Sequence, residues 1–329
     1  MDFSVIIPSR NRPALLRKAI ESVLMQDHDS VEVWVINDGS DGENEAAYQA
    51  IGRDFGDRVQ VHDLEKTTTG HGQSYGINIG VELANGTHVT FLDDDDFWTD
   101  PQHLSRCKQL IDQQDEPIDA IYCNQQAIRS DGSIANPVWL DGLLDNPRIQ
   151  PRCIDEATPA YALSVEQLMR HPGFGHLNTS IVRRSLYLEI GGMDNGIRYE
   201  CDRDFYLRTV DAARTIVHIP LVVSQHNVPD QSRQDNMSTA VNDFQKLLYQ
   251  LYLLDKARLM AKHAAVRIHG RESKANALKR ISEILAREGR YTAAAGYARE
   301  ALGIGFTFKW LAYTTWLGAR ALGPQKDST

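Results

Sequence analysis

Through the first two hundred positions, apolar residues fall in short β-branched bursts separated by longer stretches of helical spacing. The bursts Phe3 to Pro8 (FSVIIP), Val31 to Ile36 (VEVWVI), Val59 to Leu64, Val89 to Leu92, Ile118 to Cys123 and Asn178 to Val182 predict buried strands. Between the first two, Leu16, Ala19, Ile20, Val23 and Leu24 recur at helical spacing, with Asn11 placed to cap the helix and Pro13 in its first turn, where a missing N–H costs nothing. Further helices are predicted over Glu45–Phe55, up to Leu83 and Ala84, over Pro101–Gln114 and over Arg183–Ile190. Strand, helix, strand in alternation predicts a parallel sheet with right-handed crossovers. Ser130 to Pro172 is richer in proline, glycine and polar residues and predicts long loops, of the kind that carry specificity over a rigid sheet.

The pattern changes at Asn242. Leu247, Leu248, Leu251, Leu254, Leu259, Leu278, Ile281, Ile284 and Leu285 keep helical spacing with no strand signal. Leu285, Ala286, Gly289, Tyr291, Ala294, Tyr297 and Ala301 resemble half of a tetratricopeptide-type helical pair. Phe306, Phe308, Trp310, Tyr313 and Trp316 follow among Lys309 and Arg320; this mixture suits a membrane surface or packing on a helix bundle, and packing is favoured because no basic cluster accompanies it.

The 329 residues suffice for two domains, and the net charge of −9 argues against nucleic acid as a partner. Cys107, Cys123, Cys153 and Cys201 form no Cys-x-x-Cys pair, so neither a zinc site nor a disulfide framework is expected, in keeping with a reducing compartment. Met1 and Asp2 lead straight into the first strand, so no secretory signal is expected, and no apolar run approaches the length of a membrane span.

Candidate chemistry concentrates where the Val89–Leu92 strand stops at Asp93, Asp94, Asp95 and Asp96. Four consecutive carboxylates repel one another unless a cation sits among them. A hard divalent ion with oxygen ligands is the usual remedy, and the carboxyl end of a strand in an open α/β sheet is where ligands bind. Gly70, Gly72 and Gly76 are one residue too widely spaced for a dinucleotide fingerprint. A second acidic group, Glu200, Asp202 and Asp204, precedes an apolar helical pattern, where acids also favour a helix start. Trp139 and Tyr161 lie in the loop-rich stretch, as candidates for stacking on a sugar or for packing. Asp194, after two glycines, reads as a turn residue, and His218 as a core histidine.

Six segments in order, SVIIPSRNRP, VINDGSDG, the glycine stretch with Asn78 and Gly80, FLDDDDFW, IVRRSLYLEIGGMD and YECDRDFYLR, resemble the family 2 glycosyltransferases over roughly residues 1 to 230. The resemblance implies a GT-A fold: an α/β domain with a mostly parallel nucleotide-binding sheet flanked by helices, here over residues 1–235, followed by a helical region over residues 236–329. It further implies inverting, metal-dependent transfer of a sugar from a nucleotide-diphosphate donor, of UDP or dTDP type, to a saccharide or glycoconjugate acceptor. Pro8 and Arg10 are then expected to line the nucleotide pocket and Asp38 to recognise the base. Asp93, Asp94 and Asp95 match the Asp-x-Asp motif, with Asp95 the direct ligand of manganese or magnesium and Asp93 beside it. His226 is placed near metal and diphosphate. The family's Glu-Asp motif falls on Cys201-Asp202, which makes Asp202 the expected general base. The helical region is expected to dock a protein partner or the inner membrane surface of a cytoplasmic enzyme. A nucleotidyltransferase is disfavoured, since its glycine-rich, lysine-bearing loop after the first strand is absent. The competing class is a non-catalytic adaptor whose aspartates hold a structural cation.

Overall fold

The computed structural model describes residues 1–135, 139–228 and 241–322. The chain divides into two compact units, Met1–Arg233 and Gln234–Thr329. The expected division at 235/236 lies outside the described residues.

In the first unit β1 (Phe3–Ser9) leads through α1 (Pro13–Leu24) to β2 (Val31–Asn37), and α2 (Gly42–Phe55) leads to β3 (Val59–Asp63). The helix α3 (Gln73–Leu83) precedes β4 (His88–Phe91). These four strands pair in parallel in the order β3-β2-β1-β4, which is the crossover sheet predicted from the alternation. Phe3, Val5, Ile6 and Ile7 have no exposed surface, as a strand covered by helices on both faces requires. At Gly80 a Cβ would collide with the Ile6 side chain, so this glycine lets α3 lie directly on β1. Asn11 does not cap α1. Arg12 holds the cap position, while Asn11, at a φ of 58°, exchanges hydrogen bonds with Asp41 (its Nδ2 to Oδ2 2.9 Å; Asp41 N–H to its Oδ1 2.7 Å).

Beyond β4 the sheet is mixed. The described elements continue as β5 (Phe97–Trp98), α4 (His103–Gln113), β6 (Ala120–Ile128), β7 (Arg152–Asp155), β8 (Ala160–Leu163), α5 (Val165–Met169), β9 (Ser180–Arg183), α6 (Arg184–Glu189), α7 (Cys201–Ala212) and β10 (Ile216–Asn227). The strand order runs on from β4 as β9-β6-β10-β8-β7, with β9 antiparallel to both its neighbours and β5 paired to β10. Part of the stretch expected to be loop is therefore sheet: β7 and β8 pair antiparallel and β8 joins β10. Four-residue strands set among turn residues are too short to show a period. The predicted helix over 183–190 is α6, and that over 101–114 is α4.

The second unit consists, among the described residues, of α8 (Asp243–Met260), α9 (Ala264–Arg287), α10 (Tyr291–Ile304) and α11 (Phe308–Ala321). Leu247, Leu254, Leu278, Ile281, Leu285, Ala294, Ala298 and Ala301 are buried, and α9 and α10 form the helical pair that the spacing predicts. Leu248 and Leu259, on the same predicted apolar set, are exposed. The buried Lys274 ammonium sits 2.9 Å from both Asp255 and Glu300. In α11, Trp310 and Leu317 pack inward, whereas Phe308 is 82% and Leu322 91% exposed.

Candidate active site

The expected site residues lie at the carboxyl ends of the parallel strands. Pro8 and Ser9 end β1 and Arg10 follows it, Asp38 follows β2, and Asp93 to Asp96 follow β4 after Leu92. There two of the four adjacent aspartates, Asp94 and Asp95, share Arg12, while Asp93 and Asp96 take other partners.

Asp94 accepts from Ser9 Oγ at 2.7 Å and from Arg12 Nη1 at 3.2 Å. Asp95 accepts from the same Arg12 nitrogen at 3.1 Å, and its backbone carbonyl accepts from the Asn227 side chain. Asp96 is buried and accepts from Asn178 Nδ2 at 2.6 Å, from the Asn227 backbone at 2.7 Å, and from His226 Nδ1 at 2.7 Å. Asp93 accepts from Gln73 Nε2 at 2.6 Å, while its own N–H donates to Asn178 Oδ1 at 2.9 Å. Negative charge outweighs positive here. Burial, with Asp96 and Asp95 close by, drives the Asp93 carboxyl well above the ordinary range. Burial, then Asp96 and Asp94, push Asp95 up to about 6. Burial would lower His226, but the hydrogen bond and charge of Asp96 prevail and raise it to about 9.

Asp93 and His226 meet a third group that the sequence reading does not name. His176 brings a ring nitrogen to a place where one ligand atom from each of the three residues lies within 4.8 Å of the others. Burial keeps His176 neutral by lowering its pKa, and a neutral imidazole is the form that binds metal. Asp95 is not in this trio; its carboxylate faces Arg12. The Trp139 ring stands edge-on to both histidines, at 5.4 Å from His176 and 5.3 Å from His226, and is buried, walling the cluster. Tyr161 lies on β8, paired with His218 and Cys153.

Asp202 sits in the first turn of α7, with Oδ2 3.8 Å from His176 Nε2 and Oδ1 accepting the Arg203 N–H at 2.8 Å. Burial, then the nearby Glu200, raises its carboxyl to about 6. Cys201, where the family has glutamate, donates its thiol to Gln73 Oε1 at 3.5 Å, so Gln73 links the Asp93 carboxylate to the start of α7. Asp204 is turned inward and pairs with Arg208 at 2.8 Å. Asp194 accepts the Gly196 N–H at 2.8 Å, as a turn aspartate does. His218 is fully buried with Nδ1 on the Tyr122 carbonyl, and burial lowers it to about 4.

At the end of β2, the Asp38 carboxylate accepts from His71 N–H (2.8 Å), His71 Nδ1 (2.7 Å) and Gly72 N–H (2.9 Å). These contacts outweigh burial and lower its pKa. Arg10 donates to the carbonyls of Thr67 (3.1 Å) and Thr68 (3.3 Å). Gly70, at a φ of +70°, passes between these two side chains: a Cβ there would stand 2.5 Å from Arg10 Nη1 and 2.6 Å from Asp38 Oδ2. The glycine stretch thus folds over Arg10 and Asp38 as a loop, and α3 follows it.

This arrangement is a GT-A fold with its acidic cluster at the strand ends. Residues 4–171 match the family model described as Glycosyl transferase family 2, which is half of the chain, and the chain belongs to that family. S. aureus TarS, residues 1–349 in complex with UDP-GlcNAc, is 17% identical with a TM-score of 0.62, the match covering 97% of this chain and 88% of that one. The mannosyltransferase PcManGT from Pyrobaculum calidifontis, in complex with GDP-Man and Mn2+, is 16% identical with a TM-score of 0.55, covering 97% of this chain and 86% of that one. At these identities the likeness is one of fold. Protein CgeD of Bacillus subtilis is 32% identical over 130 residues, 38% of this chain and 29% of that protein. The GalNAc(5)-diNAcBac-PP-undecaprenol beta-1,3-glucosyltransferase of Campylobacter jejuni is 38% identical over 93 residues, 28% of this chain and 29% of that protein. Each of these two sequence matches spans less than a third of the relative's length.

Proposed function

We propose that this chain transfers a sugar, with inversion and with the help of a divalent ion, from a nucleotide-diphosphate donor of UDP or dTDP type to a hydroxyl of a saccharide or glycoconjugate. One observation carries the reading: a buried carboxyl, Asp202, stands beside a separate carboxylate-histidine cluster at the strand ends, so base and ion site are distinct. The uncompensated charge on Asp93 and the three converging ligand atoms fit a cation of the manganese or magnesium kind. Asp93, His226 and His176 would hold it, and Asp95 would join by exchanging Arg12 for the ion. When bound, such an ion neutralises charge on a departing diphosphate.

The remaining steps belong to the protein's own groups. Asp96 orients His226 through Nδ1, and Nε2 would serve the cluster once an incoming cation displaces its proton, as happens at a ligating histidine backed by a second carboxylate. Asp202 takes the proton from the acceptor hydroxyl as that oxygen attacks the anomeric carbon, and a carboxyl raised to about 6 is closer to the ideal of a base matched to neutral pH than an ordinary aspartate is. One displacement inverts the anomeric centre. Pro8 and Arg10 frame the nucleotide. Three of the roughly four acceptor positions on Asp38 are used, which leaves one for the N3–H of uracil or thymine.

The described helices include none long and apolar enough to cross a membrane. For the helical unit we favour docking on the inner membrane surface through apolar side chains rather than through a basic cluster: Phe306, Phe308 and Leu322 are exposed, and no acidic residue occurs from Ala301 to Lys326.

The test is hydrolysis of nucleotide sugars by purified protein, with and without chelator. Donor hydrolysis is expected to vanish with chelator and return with manganese. Activity indifferent to chelation removes the ion from the mechanism. Absence of hydrolysis and transfer across UDP- and dTDP-sugars leaves the adaptor reading.

A further inference from the structure

The scattered cysteines give no metal-binding spacing, yet the fold gathers two of them around a histidine. His103 and Cys107 are four residues apart on one face of α4, and Cys123 comes from β6. His103 Nδ1 lies 3.8 Å from Cys107 Sγ and 3.9 Å from Cys123 Sγ, and the three ligand atoms lie within 4.8 Å of one another. None of the three residues exceeds 2% exposure, and both cysteines are free thiols.

Core packing leaves this imidazole unexplained. A buried polar group ordinarily finds a hydrogen-bond partner. His103 Nε2 is buried with none, and Nδ1 meets only the two sulfurs, which are weak partners. Nor can both sulfur contacts be good hydrogen bonds, since Nδ1 offers a single lone pair or a single proton. Two nearly equal separations converging on one nitrogen are instead what a shared centre produces. With metal–sulfur bonds of about 2.3 Å, metal–nitrogen bonds of about 2.05 Å and tetrahedral angles, the nitrogen–sulfur separation is about 3.6 Å, so the observed 3.8 and 3.9 Å need close by only a few tenths of an ångström.

We propose that His103, Cys107 and Cys123 form a second metal site, separate from the aspartate cluster, that takes a soft d10 cation, zinc(II) foremost. Thiolate and imidazole ligands select such an ion over magnesium or manganese, which want oxygen. Charge favours zinc(II) over copper(I): two thiolates and Zn2+ sum to zero, a complex that an apolar core tolerates, whereas a net charge there is expensive. Binding releases the two thiol protons to solvent and forms two sulfur–metal bonds and one nitrogen–metal bond. The role is positional. The His103 ring packs edge-on to Trp98 at 5.1 Å, and the Trp98 indole donates to the carbonyl of Asn178, the residue that holds Asp93 and Asp96. A cation pinning α4 to β6 therefore steadies the floor beneath the acidic turn.

The experiment uses the full chain, produced with zinc supplied, and asks for the metal content per chain by elemental analysis and for the spectrum after cobalt(II) replacement. The expected result is about one zinc that resists mild chelation and is released by a thiol-blocking mercurial. Cobalt is expected to show a thiolate-to-metal charge-transfer band. Cys107→Ala and Cys123→Ala should each abolish that band while manganese-dependent donor hydrolysis persists. Cobalt bound without the band, zinc retained by the double variant, or a Cys107–Cys123 disulfide found by mass spectrometry would each overturn the proposal. Should the variants fail to fold, the cobalt spectrum of the unaltered protein decides the matter alone.

Discussion

Charge is buried in both units, and the two handle it in opposite ways. In the helical unit the Lys274 ammonium lies between Asp255 and Glu300 and the Arg258 guanidinium also meets Asp255 at 2.9 Å, so two cations face two acids, and their hydrogen bonds hold Asp255 below the usual carboxylate range despite burial. In the first unit four aspartates share one arginine and one histidine, and three of them are pushed upward. A balanced set of charges contributes to folding. An unbalanced one is held in place by the rest of the fold, and such imbalance marks where a cation or a charged substrate enters.

The contrast breaks most visibly at Asp202. Asn cannot take a proton, so Asp202→Asn is expected to lower turnover about 100- to 10,000-fold, with little change in donor affinity. Asp204→Asn, which weakens the pairing with Arg208, should keep near-normal turnover and melt at a lower temperature. Paired kinetics with the product anomer read by NMR checks both; a crippled Asp204 variant beside a healthy Asp202 variant reverses the roles.

Asp93→Asn separates function from stability. Turnover should collapse with the manganese dependence, yet the melting temperature without metal should not fall, because a repelled buried carboxylate has been made neutral. A clear drop in melting temperature would show that Asp93 stabilises the fold.

The pH profile follows from Asp202. Its carboxyl is raised to about 6 by burial and by Glu200, and the base works only when ionised. Turnover should therefore hold above about pH 6 and fall roughly tenfold per unit below it. The stability sign is the reverse of a salt-bridged acid: ionising Asp202 weakens the fold as pH rises through about 6, so Asp202→Asn should melt no lower than the native protein at pH 8. An acid limb well below pH 5 would point to another base.

The smallest expected effect is in the helical unit. Lys274→Met leaves Glu300 without this cation and Asp255 with Arg258 alone, and should cost about 1–2 kcal/mol, a figure reduced from that of a buried pair because both acids keep a third or more of their surface in water. Donor hydrolysis should be unchanged. Chemical denaturation and steady-state kinetics measure the two quantities side by side.

Much of this site was legible in local sequence. The β1-α1-β2 unit and the strand ending in four aspartates announce themselves by period and by abrupt polarity, and Pro8, Arg10, Asp38 and the aspartates stand where those strands end. His176, Asn178 and Gln73 were not legible, because their partners lie at long sequence separation: Asn178 reaches Asp93 across 85 residues, and Gln73 reaches Cys201 across 128. A faint signal existed. The polar residues His176, Asn178 and Thr179 lead directly into β9, and a strand antiparallel to β4 must begin where β4 ends. The β7–β8 pair stayed hidden because its strands are four residues long. His103, Cys107 and Cys123 unite only once α4 is laid on β6.

Asn178 gives the acidic turn an unusual chemical vulnerability. One amide serves both ends: its oxygen accepts from the Asp93 backbone and its nitrogen donates to the Asp96 carboxylate. Deamidation, which exchanges that nitrogen for oxygen, would aim a fifth carboxylate at Asp96 and remove the donor that keeps it turned toward His226. The shelf life of the catalyst then rests on how well burial shields a single side-chain amide from water.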